Sequence, residues 1–361
     1  MSSSTAQTHI TSPNSSNSTC YAVLGAGSFG TAIANVIAQN AKVFLFTRKQ
    51  NVYEAMMQTR NNRGQALHKQ VQPSLDIAAV CAQCTLLFPM ATSKDFREMM
   101  QLAAPHLKPH HLIIHGTKGL NVTLPPEIPA FEPGMPLKKS YIYTMSQLIL
   151  EETNVLRVGC LSGPNLTAGL TLNEPAATVI ASRFLEVIKQ GRTALHTPLF
   201  RVYSSSDVFG VELAGALSKM VAIASGIVSG MGWGENSIAM LIARSLSEAI
   251  RLGKALGADS TAFLGLAGIG DIIATSIGNK SRNFSVGYRL AKGESLHDIR
   301  TSMQEVAEGI HTVAIAKGLA LEYGVQTPII DALFRVIYQQ QYVKESIRQL
   351  LQHDLDIDVD F

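Results

Sequence analysis

Apolar and polar positions change their period part-way along the chain. From residue 20 to about residue 200, short β-branched and apolar runs (YAVLGAG, AKVFLFTR, CTLLFPMA, HLIIHGTKG, VGCLSGP, AATVIAS) alternate with stretches of helical spacing. Strand followed by helix, repeated, predicts a doubly wound, mostly parallel sheet with helices on both faces, an α/β architecture. After about residue 207 the strand pattern stops, and helices rich in Ala, Leu, Ile and Met follow, broken by GMGWGEN, GLAGIGD and IGNKSRN. That half is expected to be all-α. One of its stretches, GALSKMVAIASG at 215–226, is apolar on nearly every side of a helix except at Lys219. An all-round apolar helix is buried, and a buried lysine is rare unless it is paired or catalytic.

Composition narrows the function classes. The chain has 361 residues, enough for two ordinary domains, and a net charge of +3 with its cations scattered. Scattered cations give no footprint for nucleic acid, so an anionic ligand is expected to be small. The four cysteines (Cys20, Cys81, Cys84, Cys160) include one C-x-x-C but no second pair at zinc spacing. They read as reduced thiols of a cytoplasmic protein rather than as a redox pair. Residues 1–19 are rich in Ser, Thr and Asn and read as a disordered tail, and QHDLDIDVDF at the other end reads as an acidic surface tail. No run of about 18 unbroken apolar residues stands out, so membrane insertion is not expected.

The chemistry begins at CYAVLGAGSFGTAIANVIAQ, where Gly25, Gly27 and Gly30 follow a strand and open a helix. Glycines at this spacing allow a tight turn and close approach to a pyrophosphate at the helix N-terminus. Residues 20–207 are therefore expected to be a dinucleotide-binding Rossmann domain, and 208–361 a helical substrate and dimerisation domain. At the end of the second strand FTRKQ replaces the acid that would bind the ribose of NAD. Arg48 and Lys49 there favour NADP over NAD, unless they are simply solvated cations. Four further polar clusters sit in apolar or Gly-rich settings: Lys118, Ser162 to Asn165, Asp271 with Thr275, and Arg282 with Asn283. Together they offer a proton donor, an acid to tune it and cations for a phosphate.

In this order, GAGSFGTAIA, TKGL, LSGPN, FRVYSSSDVFGVELAGAL, GLAGIGDIIAT, SRN and EVAEG resemble the NAD(P)-dependent glycerol-3-phosphate dehydrogenases over residues 20 to about 350. The resemblance implies a homodimer that interconverts dihydroxyacetone phosphate and sn-glycerol 3-phosphate for glycerophospholipid synthesis. It assigns Ser28, Phe29, Arg48, Val306 and Glu308 to the cofactor, and Lys118 to the space between cofactor and substrate. Gly163, Asn165, Asp271, Thr275, Ser281, Arg282 and Asn283 fall to the substrate side, with Arg282 also reaching the cofactor. Asn165 stands where the family more usually has Ser or Thr, and two further places depart from the family pattern. Thr92 stands where a proline usually fixes the turn beside the nicotinamide, which is expected to loosen that floor.

The second departure concerns the proton donor. The family reads G-A-L-K-N-V, whereas this chain has Ser218 at the lysine position and Lys219 one place later. One helical position is about 100° of rotation. Either Lys219 joins Lys118 and Asp271 at the reaction centre by virtue of its long stem, or Lys118 and Asp271 work without it. The remaining reading is a divergent cofactor-binding paralogue with weak or no activity.

Overall fold

The computed structural model describes residues 20–277, 281–303 and 307–352. The tail expected at 1–19, Val306 and the acidic stretch from 353 onward lie outside the described residues. Among those described, eight strands make one sheet: β1 (Cys20–Leu24), β2 (Lys42–Phe46), β3 (Val71–Ser74), β4 (Leu86–Pro89), β5 (Leu112–His115), β6 (Arg157–Ser162), β7 (Ala176–Ser182) and β8 (Phe200–Ser205). Their spatial order is β3-β2-β1-β4-β5-β6-β7-β8. Neighbours run parallel except β6 and β7, which are antiparallel. The expected mostly parallel, doubly wound sheet is thus present.

The strands are apolar on both faces because both faces are covered. Tyr21 and Val23, Val43 and Leu45, Leu86 and Phe88, and Leu112 and Ile114 enter one core, while Ala22, Leu24, Phe44, Phe46, Leu87 and Ile113 enter the other. Period-two side-chain geometry sends alternate residues to opposite sides, so continuous apolar runs are what such strands need. The two outer strands β3 and β8 had no such runs to announce them. In β3, Pro73 is tolerated because the strand lies at an edge, and β8 alternates buried and exposed residues for the same reason.

Two residues after β8, the chain enters α2 (Val208–Gly230), the first long helix of the helical half; α1 (Ser28–Ile37) follows β1. By length and composition α2 could cross a membrane, but 94% of its most apolar window is buried inside the protein. Its partners are α3 (Glu235–Ala255), α4 (Asp271–Ser276), α5 (Arg282–Ala291), α6 (Gly309–Tyr323) and α7 (Pro328–Tyr338). The crossing of α2 and α5 is close enough to require glycine on both sides. A Cβ on Gly226 would lie 2.0 Å from the Phe284 carbonyl oxygen, and one on Gly287 would lie 1.9 Å from that of Ile223. Just before α4, the Gly-rich run Leu266–Gly270 forms a π-helical turn that delivers Asp271 to α2.

Candidate active site

The three glycines of the β1–α1 loop do three different jobs. Gly25 has φ +121° and backs onto the Met90 carbonyl, where a Cβ would sit 2.9 Å away. Gly30 packs the helix against the turn, since a Cβ there would come within 2.0 Å of the Gly25 oxygen. Around Gly27 a Cβ would meet nothing within 4 Å, so the backbone at the start of α1 faces open space. Tight turn, open approach and close packing are what a pyrophosphate cradle needs, and the residues present fit a dinucleotide. Phe29 packs beside Met90 over Gly116. Asn62 donates to the Ala26 carbonyl at 3.0 Å and Gln65 to that of Ser28 at 2.9 Å, bracing the loop from the hairpin at 61–66.

At the end of β2, Arg48 is one-third exposed and its guanidinium lies 2.5 Å from Glu98 Oε1. An exposed ion pair of this kind is weak, so Arg48 is restrained but available. Thr92 does not leave its turn slack, as its loss of proline had suggested. Its hydroxyl donates to Asp95 Oδ2 at 2.7 Å, and the Asp95 amide returns a bond to the Thr92 carbonyl at 3.1 Å. Side-chain bonding supplies the restraint that a pyrrolidine ring would have given.

Two carboxylates organise the junction between the strand-end loops and the helices. Asp271 takes Lys118 Nζ at 2.7 Å on one oxygen and the Ser218 hydroxyl at 2.5 Å on the other. Lys118 also donates to the Gly163 carbonyl at 2.8 Å, which fixes it between the β5 and β6 loops. Glu308 holds the second pair: its Oε1 accepts from the Ser93 amide at 2.7 Å and its Oε2 binds the Lys219 ammonium. Lys219 therefore lies at this junction, but on Glu308 rather than on Asp271. The 100° step along a regular helix accounts for the change of partner. Burial lowers the pKa of Lys219; Glu308 opposes that shift, and the nearby cations Lys118 and Arg282 add to it. Burial alone would raise Glu308, but Lys219 and the Ser93 amide hold it below the usual carboxylate range.

The substrate-side candidates gather around these pairs. Gly163, at φ +141°, lets the β6 turn approach Lys118, and Gly215 on α2 leaves room where a Cβ would press the Ser162 hydroxyl at 2.6 Å. Ser162 Oγ and Asn165 Oδ1 are buried without a hydrogen-bond partner, while Asn165 Nδ2 donates to Thr178 at 2.9 Å. Buried polar atoms in that condition suit a polar ligand. Ser281 caps α5 by accepting from the Phe284 amide, which places Arg282 at the helix N-terminus. Asn283 accepts from the Gly309 amide at 3.0 Å and so ties α5 to the turn carrying Glu308. Thr275 turns its hydroxyl back to the Asp271 carbonyl at 2.7 Å.

Residues 21–187 match the family description NAD-dependent glycerol-3-phosphate dehydrogenase N-terminus, and residues 207–348 match its C-terminus. The chain belongs to the NAD-dependent glycerol-3-phosphate dehydrogenase family. Among curated members named glycerol-3-phosphate dehydrogenase [NAD(P)+], that of Saccharophagus degradans is 36% identical over 96% of this chain and 94% of its own. That of Pseudomonas fluorescens strain SBW25 is 38% identical over 94% of this chain and 96% of its own. The glycerol-3-phosphate dehydrogenase structure from Coxiella burnetii superposes with a TM-score of 0.83 at 27% identity, covering 93% of this chain and all of that one. Family membership places the chain among NAD(P)-linked oxidoreductases, and nothing in these likenesses supports a cofactor-binding paralogue without activity.

Sequence reasoning passed over several residues that shape this dehydrogenase-family site. Asn62 and Gln65 act across more than thirty positions and leave no local pattern. Ser93, next to a departure from the family pattern, contributes a backbone amide that any residue could supply. His115, close to Lys118 in sequence, is a core residue: its Nε2 lies 2.8 Å from Glu212 and 3.2 Å from Ser146, with Phe96 edge-on.

Proposed function

We propose that this chain catalyses reversible hydride transfer between NAD(P)H and dihydroxyacetone phosphate, forming sn-glycerol 3-phosphate. The carrying observation is the pair of ammonium–carboxylate contacts, Lys118 with Asp271 and Lys219 with Glu308, held near each other by the loops that follow β4 and β5. When bound, the dinucleotide supplies or accepts the hydride at its nicotinamide. The protein's part is to hold the ketone and deliver a proton to its oxygen. Lys118, with two of its three protons committed to Asp271 and Gly163, has one left to position that oxygen. Lys219, its pKa lowered by burial, is the better matched donor, and the Glu308 carboxylate, itself held by the Ser93 amide, fixes the position of its ammonium.

Arg282 at the N-terminus of α5, with Ser281 and Asn283, supports a phosphate subsite through its guanidinium and the helix dipole. Ser28, Phe29 and the three glycines support the cofactor site. Arg48 favours NADP, because the 2′-phosphate offers it a doubly charged partner in place of Glu98. On this reading residues 20–207 bind the dinucleotide and 208–361 supply the catalytic acids, the phosphate subsite and the face that makes a homodimer. The enzyme works in the cytoplasm, without membrane insertion, and its product feeds glycerophospholipid synthesis.

The deciding assay follows NADPH and NADH absorbance with dihydroxyacetone phosphate, using the parent, Lys219→Ala and Lys118→Ala. Turnover by the parent that Lys219→Ala reduces about 100- to 10,000-fold, the range for loss of a general acid, supports the assignment. No turnover by the parent at high enzyme concentration rejects it.

A further inference from the structure

Cys84 does not turn to its C-x-x-C neighbour. Its Sγ lies 3.1 Å from that of Cys20, 64 residues earlier in the chain. Cys20 opens β1, and Cys84 is the capping residue between the helix Ile77–Gln83 and β4, the parallel strand beside β1. All four thiols are free, and Cys20 is the half-exposed one while Cys81, Cys84 and Cys160 are buried.

The two sulphurs are also chemically unequal. Cys84 donates its S–H to Cys20, and this bond, helped by the Lys42 ammonium and opposed by burial, lowers the Cys20 pKa. The same bond and burial raise Cys84. Burial raises Cys81 to about 11 and holds Cys160 well above the ordinary thiol range. Solvent access, thiolate character and an adjacent second thiol thus coincide at Cys20, the combination that makes a cysteine oxidisable in a reversible way.

We propose that Cys20 and Cys84 are an oxidisable dithiol, a modification site at the N-terminal end of the sheet, closed to a disulfide by hydrogen peroxide. The Cys20 thiolate attacks one peroxide oxygen; the O–O bond breaks, and the departing hydroxide is protonated to water. Cys20 is then a sulfenic acid. The Cys84 sulphur attacks the Cys20 sulphur, the S–O bond breaks, and the hydroxyl leaves as water with the Cys84 proton. Two thiols have lost two electrons, and one peroxide has become two waters. The sulphurs need to close by about 1 Å to reach bonding distance.

The position separates this chemistry from the reaction proposed above. β1 and β4 run parallel, and the loops at Gly25 and Met90 leave from their other ends, about 16 Å away for a strand of this length. The proposal therefore stands or falls independently of turnover.

The test is peptide mapping of the reduced, full-length protein after stepwise addition of hydrogen peroxide and alkylation of the remaining thiols. The expected result is an intact mass lower by two hydrogens, with the Cys20 and Cys84 peptides joined and released again by dithiothreitol. Cys81→Ala and Cys160→Ala retain the link, and Cys20→Ser abolishes it and leaves Cys84 alkylatable in the denatured protein. A Cys81–Cys84 link, conversion of Cys20 to sulfinic acid with no link, or four thiols still free overturns the proposal. The wild-type map is decisive on its own, whatever the variants do to folding.

Discussion

One residue, Lys219, shows how far a side chain's role depends on where the helix points it. It pairs with Glu308 and not with Asp271, and burial has lowered its pKa. Donation needs the protonated form, so ketone reduction is expected to decline with rising pH as Lys219 deprotonates, at a pH below an ordinary lysine's. Lys219→Arg, with its much higher pKa, removes that decline from the accessible range while lowering the rate; a pH profile of kcat/KM checks both. A second prediction concerns Arg48 and Glu98. Glu98→Ala frees the guanidinium and is expected to lower KM for NADPH about threefold, less than the about tenfold of 1.4 kcal/mol, and to leave NADH unchanged. Arg48→Ala moves KM for NADPH the other way. At this scale Lys118, Asp271 and the glycines were legible as candidates, because each lies in a dense local pattern. It could not place Lys219, because an ammonium on a four-carbon stem chooses its carboxylate in three dimensions. The Ser93 amide was equally hidden, since a backbone donor has no letter of its own.

Among the elements, the glycine contact between α2 and α5 sets the position of Arg282 and with it the proposed phosphate subsite. Gly287→Ala forces a Cβ onto the Ile223 carbonyl and is expected to cost about 3 kcal/mol, the upper range for overpacking, because backbone cannot rotate aside as a side chain can. Thermal unfolding measures it, and a displaced Arg282 should raise KM for dihydroxyacetone phosphate in the same variant. A different element carries a pH dependence. Glu248 on α3 accepts from the Ile329 and Ile330 amides at the start of α7, and burial, partly offset by those bonds, pushes its pKa up to about 8. Raised in the folded state, it holds a proton there that the unfolded chain has released. Its contribution to stability is complete below about pH 4.5 and disappears as pH rises through about 8. Glu248→Gln is expected to flatten Tm against pH across that interval. Alternating strands and helices were legible because two covered faces demand continuous apolar runs. The edge strands β3 and β8 were not, since an edge tolerates Pro73 and polar positions. The π-helical turn before Asp271 was visible as a Gly-rich run without its conformation being readable.

Across the whole molecule, cofactor binding and catalysis are expected to be separable. NADPH at about 100 times its Kd should stabilise the protein by about 2.7 kcal/mol, raising Tm by several degrees, and Lys219→Ala should show nearly the same rise despite its lost turnover. A variant that loses both has a damaged fold rather than a missing donor. The arrangement of sheet and helices was legible as a change of period near residue 207, but the tightness of the join was not. β8 ends at Ser205 and α2 begins at Val208, with Asp207 accepting from the Gly210 amide at 2.9 Å and from the Asp259 amide at 3.1 Å. Two residues reach about 7 Å even when fully extended, and both oxygens of this carboxylate are already engaged. A protease that needs a slack, extended segment finds none at this junction. Limited digestion should therefore spare it and fail to release the two halves as separate fragments, although a composition-based reading would have marked residue 207 as the place to cut.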